Sequence, residues 1–334
     1  MEKNKANIGI LIGLSFSLAI LYFIGSQLQW DLFFQEIKKL NYYYIPVISF
    51  LFVFSFVLRA LRWRYLLPSH IEFSTLKLFS ACILGMLATC ILPLRAGEFV
   101  RPWVLSRSGK VSFSLSFSSV VTERVFDIFA MLTLCLFSLN NIANAPEWIT
   151  LCLKALTALA FGILLLMILS YYKGNFVISF AQKILFLVFR SENNAIGKKI
   201  VEILQEFILG LKSISSFREL IIIIIYSNTL WFSFSLIYYL GLRSFGIEAD
   251  FWVGNAVNVF VALAIAAPSA PGFIGTFQIG CIAALSKAYG YSNEFAVAYS
   301  IVMHSLQMIL SLITGTIMLN YEGLSFKQLK EHNI

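Results

Sequence analysis

The chain has 334 residues, of which 59% are hydrophobic and 13% are charged, and its formal net charge is +8. Soluble domains usually carry about 25% charged residues, so this composition excludes a soluble globular protein. The basic surplus does not indicate a nucleic-acid-binding protein, because basic cytoplasmic loops are ordinary in membrane proteins.

Four long segments contain no Asp, Glu, Lys or Arg. They are Ala6–Ser26, Tyr42–Leu58, Leu220–Leu242 and Phe251–Ser286. A helix needs about 20 mostly apolar residues to cross the hydrocarbon core of a bilayer. The apolar runs are continuous rather than alternating, which favours spanning helices over the strands of a barrel. We therefore predict an all-α polytopic membrane protein whose residues 1–334 form a single membrane domain.

Six full crossings are predicted along the chain, at about 6–26, 42–63, 111–139, 150–172, 220–242 and 294–320. This threading leaves 18 of the 25 basic residues in the cytoplasm, five outside and two in the membrane. Because positively charged loops stay on the cytoplasmic side, both termini are predicted to be cytoplasmic. Arg59, Arg62 and Arg64, at the end of the second crossing, are interpreted as anchors at the cytoplasmic surface.

Two further apolar segments are predicted to form re-entrant hairpins rather than crossings. The first runs from Leu78 to Leu94 and turns at Pro93–Gly97. If it crossed completely, Arg101, Arg107 and Lys110 would lie outside, against the charge rule. The second hairpin lies within the charge-free segment that begins at Phe251 and is interrupted by a cluster of Pro and Gly.

The segment 173–219 is predicted to be a cytoplasmic insertion made of amphipathic helices. It contains seven basic and four acidic residues, with apolar residues at helical spacing. Helices of this kind lie on a membrane surface. An extra crossing over Phe176–Phe189 is the alternative.

The order of elements indicates an internal inverted repeat, with a first half over 1–145 and a second half over 146–322. Each half has two crossings, a hairpin and a third crossing. Pro93 and Gly97 match Pro268 and Gly272 at an offset of 175. Inverted repeats with interrupted helices at matching positions are typical of transporters, whose substrate site lies near the midplane between the halves.

Charged residues in or near the first hairpin and the third crossing are the first candidates for a site. Such residues are costly within a membrane and therefore indicate either internal ion pairs or a ligand. We expect both, with Glu98 and Asp127 orienting arginines while Arg95 and Arg124 face a cavity and bind a phosphate.

The second Pro/Gly cluster supplies further candidates. Gly272 and Gly275 permit close backbone approach, and their amide groups are expected to be free to donate to an anion. His304 occupies the position that matches Glu123 at an offset of 181, and it is either a packed hydrogen-bonding group or a proton relay. The full set of predicted substrate-binding residues is Arg95, Glu98, Arg101, Glu123, Arg124, Asp127, Pro271, Gly272, Gly275, Thr276 and His304.

No catalytic constellation is found in the sequence. Phosphate-binding loops of the Walker type, nucleophile elbows and zinc-protease motifs are all absent. The five cysteines lie in apolar segments without metal-binding spacing. We therefore expect no catalytic residue, no metal site and no cofactor, and a protein that is not an enzyme.

Four motifs in order along the chain resemble one known family. They are Arg59-x-x-Arg62-Trp63, Pro93-x-Arg95-x-Gly97-Glu98-x-x-Arg101, Glu123-Arg124-x-x-Asp127 and Pro268-x-x-Pro271-Gly272-x-x-Gly275-Thr276. Their order and spacing resemble the transmembrane, flippase-like domain of the lysylphosphatidylglycerol synthases, which also occurs alone in bacteria and archaea. The resemblance covers about residues 8–322.

The resemblance implies a lipid-translocating or lipid-binding protein of the cytoplasmic membrane. The soluble aminoacyl-transferase domain of the synthases is absent from this sequence, so synthesis of aminoacylated lipids is not expected. Two positions depart from the family pattern. Gln278 stands where an acidic residue is usual, and His304 stands where an arginine is common.

The leading hypothesis is a lipid flippase or transporter that binds an anionic or phosphate-linked lipid headgroup in a midplane cavity. Its expected partners are membrane lipids, either phospholipids or polyprenyl-phosphate-linked lipids, together with a membrane enzyme. One alternative is an intramembrane enzyme or enzyme subunit in which Glu98, Glu123 and Asp127 act as acid or base. Another is a transporter of small polar solutes.

Overall fold

The structure of the protein is a computed structural model that describes residues 15, 18–92, 97–139, 147–190, 194–212, 214, 216–266 and 270–331. The regular structure in these ranges is helical and contains no strand. The predicted all-α class is therefore confirmed.

Among the described residues, the first half contributes six helices. They are α1 over 18–26, α2 Trp30–Lys38, α3 Ile45–Leu66, α4 Thr75–Ile91, α5 Gly97–Ser106 and α6 Phe113–Leu139. The start of α4 is capped by the Ser74 hydroxyl, which accepts a hydrogen bond from the Lys77 amide at 3.2 Å.

The described part of the second half contributes seven more helices. They are α7 Glu147–Phe189, α8 Ala195–Lys212, α9 Phe217–Ser244, α10 Phe251–Ala266, α11 Thr276–Ile282, α12 Asn293–Tyr321 and α13 Phe326–Glu331. A π-helical turn, Ala283–Ala288, extends α11.

Helix length separates the crossings from the hairpin arms. Within the described residues, three helices are long and apolar enough to cross a membrane, namely Tyr42–Leu66, Phe217–Ser244 and Asn293–Tyr321. Two apolar helices, Thr75–Ile91 and Phe251–Ala266, are shorter. At about 1.5 Å per residue they span less than the roughly 30 Å of hydrocarbon, as hairpin arms should. The number of full crossings stays a prediction.

The first hairpin consists of α4 and α5, which pack against each other side by side. Gly97 has to be glycine, because a Cβ atom there would overlap the carbonyl oxygen of Gly85 on the facing helix. The reverse contact is also tight, since a Cβ atom on Gly85 would lie 3.0 Å from the Gly97 oxygen. The turn itself, at residues 93–96, lies outside the described residues.

The second hairpin consists of α10 and α11, and a short 3₁₀ turn, Pro271–Phe273, forms its tip. This tip packs against α4 of the first hairpin. The position of a Cβ atom on Gly272 would be 3.5 Å from the Cys90 carbonyl oxygen. The two hairpins therefore meet.

The packing of the two halves corresponds helix by helix. The pair α3–α4 has its counterpart in α9–α10, and α5–α6 has its counterpart in α11–α12. Contacts between the halves correspond in the same way. Helix α4 of the first half packs on α12 of the second half, and α10 of the second half packs on α6 of the first half. At the centre, α3 packs directly on α9. A two-fold repeat would produce such a pattern, and the division of the chain into repeats over 1–145 and 146–322 stays a prediction.

The insertion differs in one respect from its prediction. The predicted fourth crossing was to end near residue 172, but α7 continues to Phe189 past a break at Lys173, where φ is −134° and ψ is 47°. The amphipathic helix α8 then packs on α6 and α7 and buries Phe207 and Leu211. Part of its apolar face is therefore used for tertiary packing.

Candidate functional site

A cavity of about 520 Å³ lies between the two hairpins. Both hairpins contribute to its wall, and so do α3, α6, α9 and α12. Much of the wall is apolar, and a buried cluster of charged side chains stands at one part of it. Apolar cavities of this size with a few convergent polar groups are the usual form of a binding site for a small ligand.

Glu123 is the centre of the charged cluster, because three arginines bind its carboxylate. Arg101 binds both oxygens, with Nη1 2.7 Å from Oε1 and Nη2 2.7 Å from Oε2. Arg62 Nη2 lies 3.0 Å from Oε1, and Arg124 Nη2 lies 2.7 Å from the same atom. Since Glu123 is fully buried, these ion pairs compensate a charge that would otherwise be very unfavourable.

Asp127 lies one helical turn beyond Glu123 and joins the cluster to α9. Its Oδ1 atom accepts hydrogen bonds from Arg62 Nη1 at 2.6 Å and from the indole nitrogen of Trp231 at 3.1 Å. Arg62 Nη1 also donates to the Ser227 hydroxyl at 3.0 Å. The side chain of Arg62 is therefore held between α6 and α9.

Arg101 is held as firmly as Arg62. Its guanidinium carbon lies 3.9 Å from the centre of the Trp63 ring, a cation–π contact. Trp63 is itself fixed, because its indole nitrogen donates to the Ser119 hydroxyl at 2.7 Å. Arg62 and Arg101 are only 0% and 3% exposed. Both therefore serve mainly to join α3, α5 and α6.

Arg124 and Glu98 are the open side of the cluster. Their side chains are 38% and 36% exposed, and both line the cavity. Arg124 Nη1 lies 3.6 Å from Glu98 Oε1 and 3.4 Å from Asp127 Oδ2, which are longer distances than those within the buried cluster. This pair is the part of the cluster that a ligand can reach with least rearrangement.

Arg59 also lines the cavity and is not paired with any carboxylate of the described chain. Its guanidinium carbon lies 5.8 Å from the centre of the Phe56 ring, and its buried Nε atom has no hydrogen-bond partner. The described residues of the cluster are four arginines (Arg59, Arg62, Arg101, Arg124) and three carboxylates (Glu98, Glu123, Asp127), which leaves one positive charge in excess.

The interpretation of Arg59 and Arg62 as surface anchors is therefore wrong for these two residues, although Arg64 on the same helix is exposed. The signal was present in the sequence. Arg59 and Arg62 have i, i+3 spacing, which places both on one face of a helix, and Arg64 falls on another face. Trp231 and Ser227 were also missed, because nothing in an apolar segment marks which polar side chain meets a distant helix.

The tip of the second hairpin is held by His304. Its Nε2 atom lies 2.7 Å from the Gly272 carbonyl oxygen, and its Nδ1 atom lies 3.2 Å from Gln278 Nε2. The ring of Phe277 stacks on the imidazole, with centroids 4.4 Å apart. Gly272 has a φ of +70°, a left-handed conformation that glycine adopts without strain.

These contacts assign the imidazole tautomer. Gln278 Oε1 accepts a hydrogen bond from the Gly275 amide at 2.8 Å, so its NH₂ group is the one that points to His304. His304 Nδ1 is then the acceptor, and the protonated Nε2 donates to Gly272. The Gly275 amide is thus already used inside the hairpin, which corrects the expectation that it is free to bind an anion.

The other predicted residues of this hairpin stabilise its backbone and do not line the cavity. Pro271 begins the 3₁₀ turn, and Thr276 begins α11 while its hydroxyl donates to the Phe273 carbonyl at 3.1 Å. Of the predicted residues in this part of the chain, Gly272 and His304 line the cavity.

The structure thus brings five predicted residues of the first half into one cluster, namely Glu98, Arg101, Glu123, Arg124 and Asp127. The prediction for Arg95 lies outside the described residues. Across the part of the chain that the structure describes, no three His, Cys, Asp or Glu side chains are grouped so that they would hold a metal ion.

The amino-acid sequence is similar to one protein family and to two archaeal membrane proteins. The family model of the lysylphosphatidylglycerol synthase TM region matches residues 10–315. A UPF0104 membrane protein of Methanocaldococcus jannaschii is 27% identical over 215 residues, which are 64% of this chain and 85% of the relative. A UPF0104 membrane protein of Methanothermobacter thermautotrophicus is 21% identical over 336 residues, 98% of each chain. No solved structure matches the chain.

Proposed function

The chain belongs to the lysylphosphatidylglycerol synthase transmembrane family, and we propose that it binds the phosphate of an anionic or phosphate-linked membrane lipid in the central cavity. We propose further that it moves this headgroup between the two leaflets without chemical change. The protein acts in this proposal within the cytoplasmic membrane, with both termini in the cytoplasm.

One observation carries the proposal. Arg59 faces the cavity without a carboxylate partner in the described chain, and the surrounding cluster has one positive charge in excess. An arginine in a membrane protein interior is unfavourable by roughly 2.5–3.5 kcal/mol unless a partner compensates it. The guanidinium group matches a phosphate by two parallel hydrogen bonds. An anionic ligand would therefore supply the partner that Arg59 lacks.

A lipid is favoured over a small soluble anion by the apolar part of the cavity wall. Ile128, Leu159 and Leu263 line the cavity and are 37%, 52% and 44% exposed. In the proposal these apolar side chains lie against the acyl chains of the lipid. A lipid can place its headgroup at the arginines while its tails remain in the bilayer.

Transport is favoured over catalysis because the carboxylates of the cluster are paired with arginines. An enzyme of the alternative kind would use Glu98, Glu123 and Asp127 as acid or base, yet each of them forms an ion pair with an arginine. Such carboxylates serve to position the arginines. Two hairpins that meet at a cavity can also expose the site alternately to either side of the membrane.

The decisive experiment compares Arg59→Gln with Arg64→Gln, a matched control on the same helix whose side chain is exposed. Each protein is purified in nanodiscs that contain phosphatidic acid and phosphatidylcholine, and retained lipid is measured by native mass spectrometry. Transfer of a fluorescent phosphatidic acid between leaflets is measured in vesicles.

Arg59→Gln is expected to lose retention and transfer of phosphatidic acid while it keeps the melting temperature of the parent. Arg64→Gln is expected to keep both activities. Equal retention and transfer in the two variants would refute the proposal. If Arg59→Gln does not fold, Arg59→Lys retains the charge but not the paired geometry, and reduced retention in that variant is the expected result.

A further inference from the structure

A second, uncharged part of the cavity has no role in the function proposed above. On α9, Trp231, Phe234 and Tyr238 have i, i+3 and i+7 spacing, and all three side chains line the cavity. The rings of Trp231 and Phe234 pack edge to face with centroids 6.2 Å apart. These three side chains form an aromatic wall of the cavity.

Two amide side chains flank the aromatic wall from neighbouring helices. Asn258 on α10 donates from Nδ2 to the Trp231 carbonyl at 3.2 Å and to the Ser235 hydroxyl at 3.1 Å. These bonds orient the Asn258 side chain and leave its carbonyl oxygen as an acceptor for the cavity that it lines. Gln307 on α12 is half-buried, lines the cavity and lies against the hydroxyl of Tyr238.

The aromatic wall adjoins the arginine cluster through the contact of Trp231 with Asp127. The indole nitrogen of Trp231 donates to Asp127, which Arg62 and Arg124 also contact. A group bound against this wall would therefore adjoin a phosphate bound at Arg59. The cavity volume of about 520 Å³ is within the range that encloses one small ligand.

We infer that this wall is a subsite for an uncharged, polyhydroxylated group, a single sugar ring or a polyol, carried on the phosphate of the lipid. This inference rests on the proposed function and names the substrate class of the same site. Amides both donate and accept hydrogen bonds, as hydroxyl groups do, and aromatic faces cover the apolar C–H surface of such a ring.

The charges around the aromatic wall are unfavourable for a cationic headgroup. A quaternary ammonium group binds over aromatic rings, and Trp231 and Tyr238 offer such rings. However, the carboxylate nearest to this wall, Asp127, is occupied by Arg62 and Trp231, and the cluster has a surplus positive charge. A cation here would meet repulsion rather than a counter-ion.

The test uses three lipids with identical acyl chains, namely phosphatidic acid, phosphatidylinositol and phosphatidylcholine. Retention of each by the purified protein is measured by native mass spectrometry. The parent is expected to retain phosphatidylinositol about 5-fold or more above phosphatidic acid, the effect of one or two net hydrogen bonds. The double variant Tyr238→Phe/Gln307→Leu removes both polar groups together, so neither is left orphaned, and should reduce phosphatidylinositol to the level of phosphatidic acid.

Two controls separate this inference from the proposed function. Gln182→Leu, at an exposed position on α7 away from the cavity, should leave the preference unchanged. Arg59→Gln should lose phosphatidic acid and phosphatidylinositol alike. Equal retention of these two lipids by the parent, stronger retention of phosphatidylcholine, or a preference that survives the double variant would each overturn the subsite. Retention of phosphatidic acid by Arg59→Gln would instead overturn the proposed function.

Discussion

Gln278 and His304 are in contact, with Gln278 Nε2 3.2 Å from His304 Nδ1, and together they join α11 to α12. At these two positions the resemblance to the family implies an acidic residue and an arginine. In this chain a neutral hydrogen bond joins the two helices there, where an acidic residue and an arginine would form an ion pair. The corresponding link in the first half, between α5 and α6, is the ion pair of Arg101 with Glu123.

An ion pair can be introduced at this contact. Gln278→Glu alone buries a carboxylate beside a neutral imidazole, and His304→Arg alone places a cation against an amide, so each single variant should lower the melting temperature. The double variant should recover most of the loss, with a coupling free energy of about 0.5–3 kcal/mol.

The control for this cycle is Gln278→Leu combined with His304→Arg, which offers no carboxylate and should show no recovery. Thermal unfolding of the purified proteins in one detergent measures all of them. Strict additivity of the two single effects would contradict the contact.

Loss of the central carboxylate of the charged cluster should lower the free energy of unfolding far more than loss of its unpaired arginine. Glu123→Gln leaves Arg62, Arg101 and Arg124 without their shared partner, so we expect a loss of about 3–5 kcal/mol in the free energy of unfolding. Arg124→Gln should cost less, because Arg62 and Arg101 still bind Glu123. Arg59→Gln should cost little or nothing. Chemical unfolding of the four proteins gives this order, and a loss in Arg59→Gln as large as in Glu123→Gln would contradict it.

Because α4 and α5 are in close contact at Gly97, one added methyl group there should destabilise the protein. Gly97→Ala places a methyl group against the Gly85 carbonyl oxygen and should destabilise the protein by about 1–3 kcal/mol, the usual range for overpacking. Gly162→Ala on α7 is the matched control, since a Cβ atom there meets nothing within 4 Å. That control should be neutral, or stabilising by up to about 1 kcal/mol, because alanine favours helix. Equal melting temperatures for the two variants would show that the hairpin arms are farther apart.

The orientation in the membrane can be measured with single cysteines. Tyr43, at the predicted outer end of α3, is 90% exposed, and the Lys199 side chain on α8 is 71% exposed. The four described cysteines are buried, and Cys152 is changed to Ser so that it does not contribute to the background. A membrane-impermeant maleimide should label Tyr43→Cys in intact cells and Lys199→Cys only after the cells are opened. Labelling of Lys199→Cys in intact cells would reverse the predicted topology.

The sequence by itself determined the class of protein and the position of most helices. Charge-free segments such as Leu220–Leu242 can satisfy their backbone in lipid only as helices, so composition alone is sufficient. The break before Gly272 and the i, i+4 spacing of Glu123 and Asp127 are likewise local features that can be read without a fold. For the same reason the two hairpins were predicted where the structure has them.

Only the tertiary structure decided which arginine is paired and which is free. Arg59 and Arg62 are three residues apart on one helix, yet Arg62 meets Glu123 and Asp127 from α6 while Arg59 faces the cavity with no described carboxylate. Charge pairing acts over a few ångströms and depends on the side chains that distant helices bring together, Trp231 from α9 among them. Spacing along the chain fixes the face of a helix, and only the packing of helices fixes what that face meets.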